Sequence, residues 1–234
     1  MEPIIKAVNL IKKYRVGSQV VPVLNNINLN IYPGEILTIL GTSGSGKTTF
    51  LNLAAGLERP TRGKIIIEGH NLNKISEKNM AAFRRKYIGF VFQLYNLLPS
   101  LTALENAVLP LVFEGVPSRE REKRGRELLK QMGLGNRLRH KPGELSGGQR
   151  QRVSIARALI NNPRIIFADE PTGNLDSKTT EEILELLTTT IREKGQTLLM
   201  VTHDNEVAAY GDRIVEMVDG RILNGNSFRE EKNK

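Results

Sequence analysis

Eight residues, Gly41-Thr42-Ser43-Gly44-Ser45-Gly46-Lys47-Thr48, carry the densest chemistry in this 234-residue chain, and Thr49 extends the run. Their pattern is G-x-x-x-x-G-K-T. Glycines let the backbone curl so that successive N–H groups point inward at an anion, and a helix starting there adds positive potential. Lys47 then neutralises the β- and γ-phosphates of a nucleotide, and the Thr48 hydroxyl is a ligand for Mg²⁺. At average residue frequencies such a match arises by chance in about one per cent of chains this long. The apolar run Ile36–Leu40 comes directly before it and helix-forming residues follow. A glycine turn that merely caps a helix is therefore the weaker reading.

A second constellation stands at the end of another apolar run. Ile165-Ile166-Phe167-Ala168 leads into Asp169-Glu170. Four apolar residues place the strand inside a sheet, so the acids emerge at its carboxyl end, where open α/β sheets bind ligands. Asp169 suits a Mg²⁺ site and Glu170 suits a general base that polarises an attacking water. Alone, two acids after an apolar run are weak evidence, since many helices begin this way. With the phosphate loop they complete a nucleotide-hydrolysing pair.

These residues need a scaffold. Ile36–Leu40, Ile65–Ile67, Ile88–Phe92, Ile165–Ala168, Leu198–Val201 and Ile214–Val218 read as strands, several apolar throughout as if covered on both faces. Ile27-Asn28-Leu29-Asn30-Ile31 alternates instead, which predicts a half-exposed antiparallel strand. One helix is expected to start near Lys47. Another carries Ile183, Leu187 and Ile191 and stops near Gly195. The alternation predicts an α/β fold, a phosphate-loop NTPase core with a mainly parallel sheet and an N-terminal antiparallel β portion. Residues 1–93 and 163–228 would form that core, 94–162 an inserted α-helical subdomain, and 229–234 a frayed charged tail.

Composition sets the outer limits. Hydrophobic residues make up 39% and charged residues 25%, the proportions of an ordinary globular domain. No apolar stretch approaches the roughly 18 residues of a membrane span, and the start, MEPIIKAVNL, lacks the pattern of a secretion signal. With no cysteine, disulfides and thiolate metal sites are excluded. The net charge of +9 is uneven, with eleven Lys or Arg against four acids between Arg119 and Arg152. Such a face meets an anionic partner or is a solvated helix surface.

At this point the chain resembles the nucleotide-binding subunit of an ABC transporter. Leu145-Ser146-Gly147-Gly148-Gln149 is identical to that family's signature motif, followed by Arg150-Gln151-Arg152. The other motifs come in order: Gln93 after Gly89-Phe90-Val91-Phe92, then Gly173-Asn174-Leu175-Asp176, then Val201-Thr202-His203-Asp204. Ser146 also reads as a helix cap whose free N–H groups form an anion site. The resemblance implies that this anion is the γ-phosphate of ATP held by a second copy, so the chain must dimerise to complete its sites. It further implies that His203 bonds the γ-phosphate and orients Glu170 and water. Gln93 would lie near Mg²⁺ and water while contacting membrane subunits, the Tyr14 ring would stack on adenine, and Asp176 would sit in the dimer-interface loop. The implied partners are a second copy and two membrane-spanning subunits on a separate chain, with no nucleic acid. The implied location is the cytoplasmic face of the cell membrane.

Phe92-Gln93-Leu94-Tyr95-Asn96-Leu97-Leu98-Pro99 and Leu101-Thr102-Ala103-Leu104-Glu105-Asn106 resemble the lipoprotein-releasing and macrolide-export branch. That branch exports or extracts lipoproteins, peptides or drugs. Thr42, Thr48-Thr49 and Leu94-Tyr95 depart from common family choices without removing a chemical group. A cell-division type that signals across the membrane is the neighbouring alternative. Soluble family members acting on DNA use long coiled coils that do not fit between Gln93 and Ser146, and ribosome-type members carry two ATPase domains per chain. A purely regulatory scaffold is disfavoured by intact Lys47, Asp169, Glu170 and His203.

Overall fold

The computed structural model describes residues 2–224, so the tail 229–234 lies outside the described residues. The chain divides into two compact units: Met1–Arg84 with Gly195–Lys234, and Arg85–Lys194.

The first unit holds two β systems. Strands β1 (Ile5–Val16) and β2 (Gln19–Ile31) form an antiparallel hairpin, and β1 also pairs antiparallel with β4 (Arg62–Ile67), which pairs with the short β5 (His70–Asn71). In β2, Ile27, Leu29 and Ile31 are buried while Asn28 and Asn30 are exposed, the alternation expected for a sheet with one wet face. Strand β1 escaped the sequence reading for a physical reason. Its register shifts between Ala7 and Leu10, and Asn9 takes φ 46°, so a bulge breaks the period-2 signal. In the second system β3 (Ile36–Leu40) lies parallel between β8 (Thr197–Thr202) and β9 (Arg213–Val218). Strand β10 (Arg221–Asn224) adds antiparallel to β9. Every residue of β8 is buried, which is why its sequence reads as continuous apolar run rather than alternation. Helix α1 (Lys47–Ala54) follows β3, α2 (Glu77–Tyr87) follows the antiparallel sheet, and α7 (Asn205–Ala208) follows β8. A half-buried pair, Arg213 with Glu35 at 2.6 Å, ties the start of β9 to the turn before β3.

In the second unit β6 (Ile88–Val91) and β7 (Ile165–Asp169) pair in parallel. Helices α3 (Ala103–Phe113), α4 (Ser118–Gln131) and α5 (Gly147–Leu159) fill the interval between them, and α6 (Ser177–Glu193) follows β7. Thr102 and Glu105 form a capping box that starts α3. Helices α3 and α4 cross closely because Gly125 has no side chain: a Cβ there would stand 2.3 Å from Val108 Cγ1. Ile183, Leu187 and Ile191 are buried along α6, and Gly195 follows it at φ 60°. The basic stretch lies largely on the exposed side of α4, where Glu120–Arg124 and Glu122–Arg126 pair one turn apart, a solvated helix face. Among the described residues no helix is long and apolar enough to cross a membrane.

Candidate nucleotide site

Within the first unit, the loop between β3 and α1 is shaped as an anion cradle. Gly46 caps α1 at φ 101° and Gly44 takes φ 80°, left-handed backbone that would strain any other residue. The loop root presses on β9, since a Cβ at Gly41 would meet Met217 O at 2.3 Å. Lys47 is only 5% exposed. Its ammonium donates to Gly41 O at 2.6 Å and Thr42 O at 2.9 Å, so it already spans the mouth of the loop. Ser45 is held through its backbone: its N–H donates to Thr42 O and its carbonyl accepts from Gly220 N. Its hydroxyl is buried with no partner, an orphaned polar group in the wall of the loop. Gly41 N donates to Thr202 O at 3.2 Å, which puts His203 one residue beyond the strand that touches the cradle.

Tyr14 belongs to the same unit and is half-buried. Its hydroxyl donates to Glu58 Oε2 at 2.6 Å, and Lys12 Nζ lies 2.8 Å from that oxygen and 4.7 Å from the Tyr14 ring centre. Thr49, in the first turn of α1, hydrogen-bonds the Tyr14 hydroxyl. Burial raises the Tyr14 pKa, and the bond to Glu58 raises it further, so the phenol stays neutral beside the carboxylate. The ring expected to meet adenine is thus tied to the helix that starts at the cradle.

The second unit gathers the remaining candidates. Register Val91↔Ala168 between parallel β6 and β7 sends Gln93 and the Asp169-Glu170 pair out of the same strand ends. Glu170 takes φ 42°, an uncommon conformation for a residue with a side chain and a site of local strain. Gly173 N donates to Glu170 O at 3.1 Å, closing a tight turn. The Gln93 amide and the Glu170 carboxylate converge on Gly173: a Cβ there would stand 2.9 Å from Gln93 Nε2 and 3.3 Å from Glu170 Oε2. Asn174 Nδ2 donates to Gln93 O at 3.1 Å, a contact that no spacing in the sequence signalled.

Ser146 caps α5 through a full capping box. Its hydroxyl accepts from Gln149 N at 3.3 Å, and Gln149 Oε1 accepts from Ser146 N at 3.1 Å. The Ser146 hydroxyl proton is not used by that bond and can still be donated outward. Gln149 is therefore a capping residue as well as a motif letter, and the S-x-x-Q spacing was the available signal. Gly147 lies against Leu175 and Tyr95, while a Cβ at Gly148 would come within 2.6 Å of Thr179. Asp176 caps α6, accepting from Thr179 N at 3.0 Å and from its hydroxyl at 2.7 Å. Those two bonds lower the Asp176 pKa, so its charge is spent first on starting a helix.

Lys47, Thr48, His203 and Tyr14 are thus grouped in one unit, and Gln93, Ser146, Asp169, Glu170 and Asp176 in the other. Thr48, Gln93 and Asp169 offer only oxygen donors, and among the described residues no cluster of three or more His, Cys, Asp or Glu forms an all-protein cage. Oxygen donors of this kind suit Mg²⁺, which takes few protein ligands and keeps water and phosphate oxygens.

A profile described as ABC transporter matches residues 24–173. A lipoprotein-releasing system ATP-binding protein, LolD, of Geobacter metallireducens is 46% identical over 223 residues, covering 95% of this chain and 99% of that protein. The macrolide export ATP-binding/permease protein MacB of Wolinella succinogenes is 46% identical over 221 residues, which are 94% of this chain but 34% of that protein. Among solved structures, the ATP-binding cassette MJ0796 of Methanocaldococcus jannaschii, a dimer bound to ADP and Pi, matches at 47% identity. Its TM-score is 0.89, with 96% of this chain and 99% of that chain covered.

Proposed function

This chain belongs to the ABC transporter family, and from that premise we propose that it is an ATP-hydrolysing subunit, two copies of which close around two ATP molecules to drive membrane-spanning partners. The observation that carries this reading is one pre-shaped phosphate loop and one capped signature helix per chain, each fit for the same phosphate from opposite sides. A single copy cannot apply both to one ATP in the way the family does, so a second copy finishes each site.

In this reading Tyr14 stacks on adenine. The loop Gly41–Thr49 wraps the phosphates with backbone N–H groups, and Lys47 turns its ammonium from the loop carbonyls to the β- and γ-phosphates. Glu170 accepts a proton from the attacking water, while His203 and Gln93 hold that water and the γ-phosphate in line. Ser146, Gly147, Gly148 and Gln149 of the second copy donate to the γ-phosphate, and Asp176 lies in the loop between copies. Thr48, Gln93 and Asp169 would hold Mg²⁺, which when bound neutralises charge developing on the phosphate oxygens. ATP binding closes the pair, and hydrolysis with product release reopens it. The work is transmitted to membrane subunits, which place the protein on the cytoplasmic face of the membrane. Similarity to the lipoprotein-releasing and macrolide-export proteins favours export or extraction of lipoproteins, peptides or drugs.

The test is Glu170→Gln, which keeps the shape and removes the base. Phosphate release should fall by roughly 10²-fold or more, while Mg-ATP converts the variant to a dimer in size-exclusion chromatography. Hydrolysis at the wild-type rate would show that Glu170 is not the base.

A further inference from the structure

The stretch from Gln93 to Leu101 has no helix or strand, yet side chains of the second unit fasten it along its length. Asn174 holds Gln93 O. Arg157 donates to Tyr95 O at 2.7 Å and to Asn96 O, and both residues take left-handed φ, 61° and 48°, which turns their carbonyls toward the guanidinium. Asn106, at 0% exposure, spends its amide on the same stretch and on Thr102 just after it. Its Oδ1 accepts from Leu98 N at 2.8 Å, and its Nδ2 donates to Leu98 O, Leu101 O and Thr102 O at 3.0–3.1 Å. Between these anchors Leu94 and Leu98 stand 72% and 44% exposed. Three side chains, Asn174, Arg157 and Asn106, make an irregular segment behave as a rigid strap, because displacing it would leave buried polar groups unpaired.

Tyr95 is the side chain by which this strap reaches the signature helix. Its ring receives the Arg150 guanidinium at 5.1 Å from the ring centre. Its hydroxyl lies 3.2 Å from where a Cβ of Gly147 would be. Arg150 Nε is buried without a hydrogen-bond partner, so the aromatic face supplies its contact on that side. Gly147 lies inside, and Arg150 directly after, the capping box that sets the direction of the Ser146 hydroxyl.

We propose that Tyr95 is a positioning residue for the signature motif: it clamps the first turn of α5 to the strap that starts at Gln93, and so fixes the angle at which Ser146 and Gly147 meet the ATP held by a second copy. This rests on the reading that two copies close around ATP. Tyr95 touches no nucleotide in that arrangement; it acts through Gly147 and Arg150. Pressure on exposed Leu94 is then shared between Gln93 on one side and the signature helix on the other.

The experiment uses the Glu170→Gln chain with Mg-ATP and compares Tyr95→Ala, Tyr95→Leu and Tyr95→Phe. Three readouts are taken: the protein concentration for half-dimerisation by light scattering, the affinity of a fluorescent ATP analogue at concentrations where copies stay apart, and Tm. Tyr95→Ala and Tyr95→Leu should raise the half-dimerisation concentration about tenfold, with analogue affinity within about twofold of the parent. Tyr95→Phe keeps the Arg150 stack and should recover most of the loss. If Ala is too unstable to assay, Leu and Phe decide the matter. Dimerisation unchanged in Tyr95→Leu would overturn the proposal, as would analogue affinity and dimerisation falling together. A Glu170→Gln parent that binds ATP yet never dimerises would instead sink the functional reading on which this one stands.

Discussion

Glu58 shows how one carboxylate fixes the posture of the Tyr14 ring. Burial pushes its pKa up, but hydrogen bonds from Lys12 and Tyr14 outweigh that and leave it below the ordinary value of 4.5. A lowered folded-state pKa contributes stability that is present above 4.5 and is lost as pH falls through the folded value. Glu58→Gln should therefore lower Tm at neutral pH and flatten the acid side of the Tm profile below pH 4.5, read by thermal melts from pH 3 to 7. Tyr14 itself separates ring from hydroxyl. Tyr14→Ala should weaken ATP binding roughly tenfold, because stacking on a base is worth about 1–3 kcal/mol. Tyr14→Phe should stay within about threefold. Equal affinity for all three proteins in a fluorescence titration would remove Tyr14 from the adenine site. Sequence singled out Lys47, Glu170 and His203 because each follows closely on an apolar strand, and Tyr14 only through the family resemblance. It did not reveal that Glu58 and Thr49 hold Tyr14, because those contacts come from chain segments brought together by folding.

At the scale of the element, the first turn of helix α5 is capped by Ser146 and, in the proposed function, meets a phosphate, and the two jobs can be parted. Ser146→Ala removes the cap and should cost about 1 kcal/mol of stability. Ser146→Asp keeps a good cap but sets a negative charge before the phosphate of the second copy. It should melt like wild type and yet fail to form the ATP-bound dimer in the Glu170→Gln background. A dimer formed normally by Ser146→Asp would mean that α5 does not face the triphosphate. The close crossing of α3 and α4 makes a different prediction: Gly125→Ala drives a methyl into Val108 and Leu104 and should cost about 1–3 kcal/mol in denaturant melts.

For the whole molecule, ligand linkage gives the broadest check. ATP at a hundred times its dissociation constant should stabilise the Glu170→Gln chain by about 2.7 kcal/mol. For a chain of this size that is a rise in Tm of about 5–10 °C. The rise should grow with protein concentration, because closure around ATP is bimolecular. A rise that ignores protein concentration would mean that nucleotide binds without joining two copies.

Local signals carried the parallel strands, the glycine-rich loop and the helix-rich interval. Burial on both faces writes an apolar run, and a tight anion loop can be built only by glycines at set spacing. Tertiary structure alone decided which side chains meet. Glu170 and Tyr95 take left-handed backbone that no residue preference announces. From those turns follow the convergence of Gln93 and Glu170 on Gly173, and the grip of Arg157 and Asn106 on the strap. Such contacts join residues up to 81 positions apart, and no local pattern encodes them, because only the folded chain sets which partners lie within reach.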